Sequence, residues 1–461
     1  MDPLGELIDR ALFPAWEGLV RGRPTLRLLR YLRQTEVRPL DELEAIQLGA
    51  LRRLLRHAFE HVPFYRARME EAGLLPEDVR ALSDLARLPL LERGDARAAG
   101  DTRKSTAPPF PTIRKATSGS SGEPLSFAYD AGSEHWRQAT KLRGYGWAGH
   151  RVGTRTLHYW GAVSPGAQAT ARRSSSRSHA LKVALDRGLK RERYLDCGVR
   201  GDEELARVVE ELRRRPPEVL ICYAQAGADL ARWINARGAR SWPDVTVLTA
   251  AERLLPADRA AIVEAFGPRV FETYGSREVM LIASECGAHD GLHLSMENLL
   301  VELVVREGEG TRPTRPEEIG EVVITDLHNL GMPFIRYATG DLARMASRAR
   351  CACGRTLPRL GAVEGRVTES LVDGEGRRVS GLLFNVMMVA HGASIRAFQA
   401  VQHRDRAVTL RVVAPDLAEG EERALRESLE PYLRGVPLRI ERVADIPTER
   451  SGKRRIVVVE R

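Results

Sequence analysis

From Asp202 onward the chain alternates between two hydrophobic periods, and few architectures accept that alternation. Leu205, Val208, Val209 and Leu212 recur at three- and four-residue steps, the spacing of one helical face. The run Val219-Leu220-Ile221-Cys222-Tyr223 reads as a buried strand, and a second helix begins near Ala226. A strand at Val245-Thr246-Val247-Leu248, a helix opened by Pro256 and a strand at Arg269-Val270-Phe271-Glu272-Thr273 complete the series. Such β-α-β alternation predicts an α/β fold with a largely parallel, helix-covered sheet. Ligands of such sheets gather beyond the carboxyl ends of the strands. Ala250-Ala251-Glu252 and Tyr274-Gly275 both stand there.

At 461 residues the chain exceeds a single compact core. After Gly365-Arg366 the pattern changes to a short α+β segment, with a turn at Asp373 to Gly376, a helix near Leu382 to Ala390 and strands around 397–402 and 408–413. The expected division is 1–365 and 366–461. Upstream, Leu51, Leu54, Leu55, Ala58 and Val62 form one helical stripe that stops at Pro63.

The net charge of +9 comes from arginines spread along the chain, with no aromatic-interleaved basic module, so a nucleic-acid partner is not expected. A positive field suits anionic substrates. Five cysteines, unevenly spaced, do not make a secreted disulfide framework. With no apolar run of roughly 20 residues and no signal-peptide core behind Asp2 and Glu6, the expectation is a cytoplasmic protein without a transmembrane segment. Leu12 to Arg33 mixes apolar residues with arginines. It suits either a membrane surface or packing onto the main domain.

Thr117-Ser118-Gly119-Ser120-Ser121-Gly122 interleaves hydroxyls with glycine, which suits a loop wrapped round a polyphosphate. It lacks the Lys-Ser/Thr ending of a P-loop. Downstream, in order, come Tyr274-Gly275-Ser276-Arg277-Glu278, Arg336-Tyr337-Ala338-Thr339-Gly340-Asp341, Gly365-Arg366 and Ser451-Gly452-Lys453. In that order the chain resembles the adenylate-forming superfamily of acyl-CoA synthetases and ligases, in its phenylacetate-CoA ligase-like branch, over nearly its whole length.

The resemblance implies a large N-terminal domain, a small mobile C-terminal domain, and activation of a carboxylic acid by ATP. It assigns Thr117 to Gly122 to the β- and γ-phosphates, Glu278 to Mg²⁺, Tyr274 and Gly275 to the adenine, and Ala250, Ala251 and Glu252 to the base edge. Asp341 would accept both ribose hydroxyls, a task for a carboxylate with paired acceptors. Arg366 would reach the ribose or phosphate from the domain junction. Lys453 would bridge the carboxylate, the α-phosphate and ribose oxygens as a compact cation. Glu123, Arg277 and Thr368 depart from the branch, where lysine, threonine, and aspartate or lysine are common. The acyl acceptor stays open among CoA, a carrier-protein thiol and an amine, and a catalytically silent nucleotide-binding homologue is the rival.

Family geometry would place the acyl pocket near Tyr145, Trp147, Tyr223, Ala250 and Ala251; Tyr145 and Trp147 serve equally as core residues. Cys286, His289, Cys351 and Cys353 supply the three thiols and one imidazole of a tetrahedral Zn²⁺ site, with His293 in reserve. The β-rich stretch Leu299 to Ile324 lies between the two pairs and could join them. Free buried cysteines are the alternative.

Overall fold

The computed structural model describes residues 2–116, 125–160, 185–197, 200–308, 310–361, 363, 365–366, 370–374, 378–380, 395, 397–414, 417–447 and 455–460. A nine-stranded sheet organises the molecule. Its parallel half runs in the order Val270–Ser276, Thr246–Ala250, Val219–Tyr223, Thr156–Trp160, Glu192–Asp196. The expected alternation accounts for three of these strands, Val219–Tyr223, Thr246–Ala250 and Val270–Ser276, with the helices Asp202–Arg214, Ala224–Ala236 and Pro256–Phe266 as connections, while Thr156–Trp160 and Glu192–Asp196 extend the sheet beyond the expected series. Leu205, Val208, Val209 and Leu212 all face inward, each burial contributing about 2 kcal/mol.

Beyond Val270–Ser276 the sheet turns antiparallel, through Met280–Glu285, Leu292–Leu294, Arg359–Leu360 and Met345–Ser347. A second, wholly antiparallel sheet orders Gly310–Pro313, Leu299–Glu307, Gly320–Asp326, Tyr337–Ala343 and Gly365–Arg366. Within these two sheets parallel pairing is thus confined to the β-α-β region, where helices connect successive strands. Short turns elsewhere impose antiparallel neighbours.

The helix Leu40–His61 ends ahead of Pro63 and buries Leu51, Leu54, Leu55 and Ala58, as the stripe requires. The helix Ala131–Trp147 carries two arginines into the interior. Arg137 pairs with Asp326 at 2.7 Å, and Arg143 grips both oxygens of Glu297 at 2.7 and 2.9 Å. All four side chains are buried, so neither charge of a pair could lose its partner without leaving the other stranded.

Towards the C-terminus, strands Leu438–Arg442, Val408–Val413, Ala397–Gln402 and Val457–Val459 form a four-stranded sheet. The helix Glu419–Leu433 covers it, and the buried cluster there is drawn only from residues 371–457. The helix expected near Leu382 to Ala390 lies outside the described residues.

Candidate active site

Two strand exits lie side by side on the nine-stranded sheet. Thr246–Ala250 ends against Tyr223, its register partner. The next residue, Ala251, holds φ +70°, a left-handed conformation costly for any side chain and commonest where function demands it. Glu252 follows, and its Oε2 accepts the Gln225 N–H at 3.1 Å. On the neighbouring strand the ladder slips between Tyr274 and Gly275. A Cβ at Gly275 would stand 2.2 Å from the Met280 carbonyl oxygen, so only glycine fits.

The turn after that strand brings three sequence motifs together. The Tyr274 hydroxyl donates to Asp341 Oδ2 at 2.8 Å, and the Tyr337 hydroxyl donates to Glu278 Oε1 at 3.3 Å. Arg93 reaches the same Glu278 oxygen at 3.7 Å. Both carboxylates are largely buried. Burial first, and the negative charge of Glu278 next, push the Tyr337 phenol up, so it stays a proton donor. Arg277 Nη1 donates to the Ala116 carbonyl at 3.1 Å, tying the strand that leads into Thr117 to this turn. Ala116 pairs with Ser126, so the strands on either side of the serine-glycine segment meet here.

Asp341 is shaped by its own turn. Gly340 has φ +76°, the Asp341 N–H donates to Thr339 Oγ1 at 3.1 Å, and Thr339 Oγ1 donates to the Val322 carbonyl at 2.8 Å. Asp341 is also the register partner of Arg366. Arg336, which opens the same motif, is structural: its buried guanidinium donates to Ala86 and Leu88 carbonyls and pairs with Glu302 at 3.1 Å. The residues Thr117, Ser118, Gly119, Ser120, Ser121, Gly122 and Lys453, and the departures Glu123 and Thr368, lie outside the described residues.

At the antiparallel edge of the nine-stranded sheet, one ligand atom each of Cys286, His293, Cys351 and Cys353 lie within 4.8 Å of one another. The Sγ atoms of Cys286 and Cys351 are 3.8 Å apart, and Cys353 Sγ is 3.4 Å from His293 Nε2. Tetrahedral Zn–S bonds of about 2.3 Å place sulfurs about 3.8 Å apart, so these residues fit zinc. His293 Nδ1 meets the Leu357 carbonyl at 3.0 Å, which fixes the ring and leaves Nε2 for a metal. Burial pushes His293 down to about 4, hence neutral, and pushes the Cys286 thiol up to about 12. A divalent cation is what would turn such thiols into thiolates.

This corrects the expected ligand set, because His289 stands apart from the cluster. Its Nδ1 meets Glu285 at 2.8 Å and its ring tilts against Phe271. His293 replaces it because Leu292–Leu294 pairs with Arg359–Leu360, the strand just after the Cys351–Cys353 turn. That strand, and not the Leu299 to Ile324 stretch, unites the halves.

No protein-family model matches the chain. Curated relatives do. A phenylacetate-coenzyme A ligase of Thermus thermophilus is 27% identical over 360 residues, 75% of each chain. Another, from Escherichia coli, is 27% identical over 354 residues, 73% of this chain and 74% of that one. The chain is a homologue of the phenylacetate-coenzyme A ligases. A solved 2-hydroxyisobutyryl-CoA ligase, in the postadenylation state with R3-HIB-AMP, shares the fold: TM-score 0.70, 20% identity, 92% of this chain and 91% of that one.

In this ligase homologue the aromatic wall differs from expectation. Trp147 donates through Nε1 to Glu36 at 3.1 Å and lies edge-on to His293, so it belongs to the cysteine cluster's surroundings. Tyr145 packs with Ala148, Val219, Ile221, Leu248 and Phe271, and burial pushes its phenol up to about 12. The aromatic beside Tyr223 is Trp160, centroids 4.4 Å apart, at the carboxyl end of its own strand. A strand-ending tryptophan was the available signal. For Arg93 there was none: it reaches Glu278 because Leu91 bridges Tyr337.

Among the described residues no helix is long and apolar enough to cross a membrane.

Proposed function

We propose that this protein activates a carboxylic acid with ATP to an acyl-adenylate, then transfers the acyl group to a thiol, that of coenzyme A. In the first step a carboxylate oxygen attacks the α-phosphorus and pyrophosphate leaves. In the second the thiol sulfur attacks the acyl carbon, AMP leaves, and the thiol proton passes to solvent. The observation that carries this reading is the convergence of Glu278, Asp341 and the Arg277-tethered hairpin around the turn after Val270–Ser276, where the reading puts the substrate crevice.

Within that crevice Asp341, oriented by Tyr274, would take the ribose hydroxyls. Tyr274 and Gly275 would face the adenine, with Ala250, Ala251 and Glu252 along the base edge. Glu278, held by Tyr337 and Arg93, would hold Mg²⁺, which supplies charge neutralisation between the phosphates. The Thr117 to Gly122 segment would restrain the β- and γ-phosphates. Trp160 and Tyr223, beside the small Ala250 and Ala251, suit a planar or slender acyl group. Cys286, His293, Cys351 and Cys353 would hold a structural Zn²⁺.

Residues 366–461 would form the mobile unit that carries Lys453 to the crevice and away again. A separate buried cluster within 371–457 supports that division. Lys453→Ala is expected to slow ATP–pyrophosphate exchange by about two orders of magnitude, about 3 kcal/mol. A presynthesised acyl-adenylate should still be consumed with CoA. Pyrophosphate exchange at the parent rate would remove Lys453 from the mechanism.

A further inference from the structure

Residues 3–20 form one helical arm, in which the α-helical segments Pro3–Leu7 and Phe13–Ala15 alternate with the π-helical segments Ile8–Leu12 and Trp16–Val20. Its inner side packs in the usual way: Ile8, Phe13 and Trp16 gather with Val152, Leu26 and Leu142. The outer side is apolar too. Leu4, Leu7 and Leu12 are about half exposed, and Leu19 is 86% exposed. Ala11, Ala15 and Val20 are exposed on the same arm. Solitary exposed leucines are ordinary on a protein surface, but a contiguous row marks something that covers it. Six of the twelve large hydrophobics exposed among the described residues fall between Leu4 and Val37.

The charge around this row is predominantly positive. Residues 10–38 contain seven arginines and only two acids, Glu17 and Glu36. Both acids are buried and engaged: Glu17 accepts from Thr25 at 2.8 Å, and Glu36 accepts from Arg355 at 2.9 Å and from Trp147. At the start of the arm, Asp2 pairs with Arg191 and Asp9 with Arg151. Glu6 is exposed on the arm beside Arg10 and the leucines. On the following helix, Thr25–Thr35, the exposed Arg27, Arg30 and Arg33 repeat at three-residue steps opposite the buried Leu29 and Leu32. Leu26 and Leu142 belong to the packing of both helices, so arm and helix adjoin where they meet Ala131–Trp147.

We propose that this surface docks on an anionic lipid bilayer, the leucines entering the boundary between headgroups and acyl chains and the arginines meeting lipid phosphates. Charge decides the occupant. A second copy docking across a two-fold axis would set arginines against arginines, whereas an anionic leaflet neutralises them and accepts the leucines together. The two uses left open by the sequence of Leu12 to Arg33 are therefore combined, one on each face.

Co-sedimentation of the full chain with vesicles tests this. Mixed phosphatidylserine–phosphatidylcholine vesicles should retain the protein at least about tenfold better than pure phosphatidylcholine, and added salt should weaken retention. The pair Leu7→Glu with Leu19→Glu should abolish it with the thermal melting midpoint unchanged. The triple exchange of Arg27, Arg30 and Arg33 to Gln should reduce it by about tenfold or more and flatten the salt dependence. Equal retention on both vesicles, no retention on either, or parental retention by both variants would overturn the proposal. So would a dimer in solution that Leu19→Glu dissociates, which would give the surface to a second copy.

Discussion

Glu278→Gln is expected to lower acid-dependent ATP–pyrophosphate exchange by about three orders of magnitude, roughly 4 kcal/mol of transition-state stabilisation. The amide fills the same space and can still accept from the Tyr337 hydroxyl, so the turn after Tyr274-Gly275 should hold its shape. What disappears is the negative oxygen that a hard cation needs among phosphates. Arg93, a third exposed, can turn to water and costs little when its partner goes neutral. The diagnostic is magnesium dependence: the residual activity of the variant should require much more Mg²⁺ than the parent. Unchanged magnesium dependence would make Glu278 a structural acid.

Cys351→Ser should release one equivalent of zinc and destabilise the protein by roughly 4 kcal/mol. The reason lies in what the cluster fastens. Cys351 to Arg355 is a tight turn, with the Cys351 N–H donating to the Arg355 carbonyl and the Gly354 N–H donating to the Cys351 carbonyl. Thr356 and Arg355 then donate to Glu36, at the end of the helix that also feeds Thr35 and Leu32 into the Arg143–Glu297 pair. Losing the cation would leave two thiols, the new hydroxyl and an imidazole side by side with nothing to gather them. Cys197→Ser, at a buried cysteine outside the cluster, should leave the metal content unchanged. Elemental analysis of chelator-free protein reads both. Parent protein without zinc, or Cys351→Ser with full zinc, would contradict the assignment.

The parallel strands from Val219 to Ser276 were legible because each strand and each crossover helix there writes its own period in a short stretch of chain, whereas Thr156–Trp160 and Glu192–Asp196 fall outside that series. The strand Val219–Tyr223 and the strands Ala397–Gln402 and Val408–Val413 fall where their patterns put them. The antiparallel half was not, since strands as short as Arg359–Leu360 and Leu292–Leu294 carry no periodicity. That is also why His289 was preferred to His293: spacing along the chain favours Cys-x-x-His, but register between strands decides which imidazole arrives. Glu278 and Asp341 enter as candidates through the resemblance that the ordered motifs carry, and the structure brings their motifs together. Their supports, Arg93 and Tyr337, are set by a bridge between Leu91 and Tyr337 that no local pattern announces. The aromatic wall followed the same rule: Trp160 faces Tyr223 through strand neighbours, whereas Tyr145 and Trp147 sit on a helix whose two sides serve a core cluster and the cysteine site.

The most direct test is to incubate the purified protein with ATP, Mg²⁺ and a panel of aromatic and fatty carboxylic acids, without CoA, and to search the quenched mixture by mass spectrometry for an acyl-adenylate. The account predicts that at least one acid yields its adenylate with pyrophosphate release, and that adding CoA converts it to the thioester and AMP. Bound ATP with neither pyrophosphate nor any adenylate across the panel would contradict it, and would leave a nucleotide-binding protein without the chemistry.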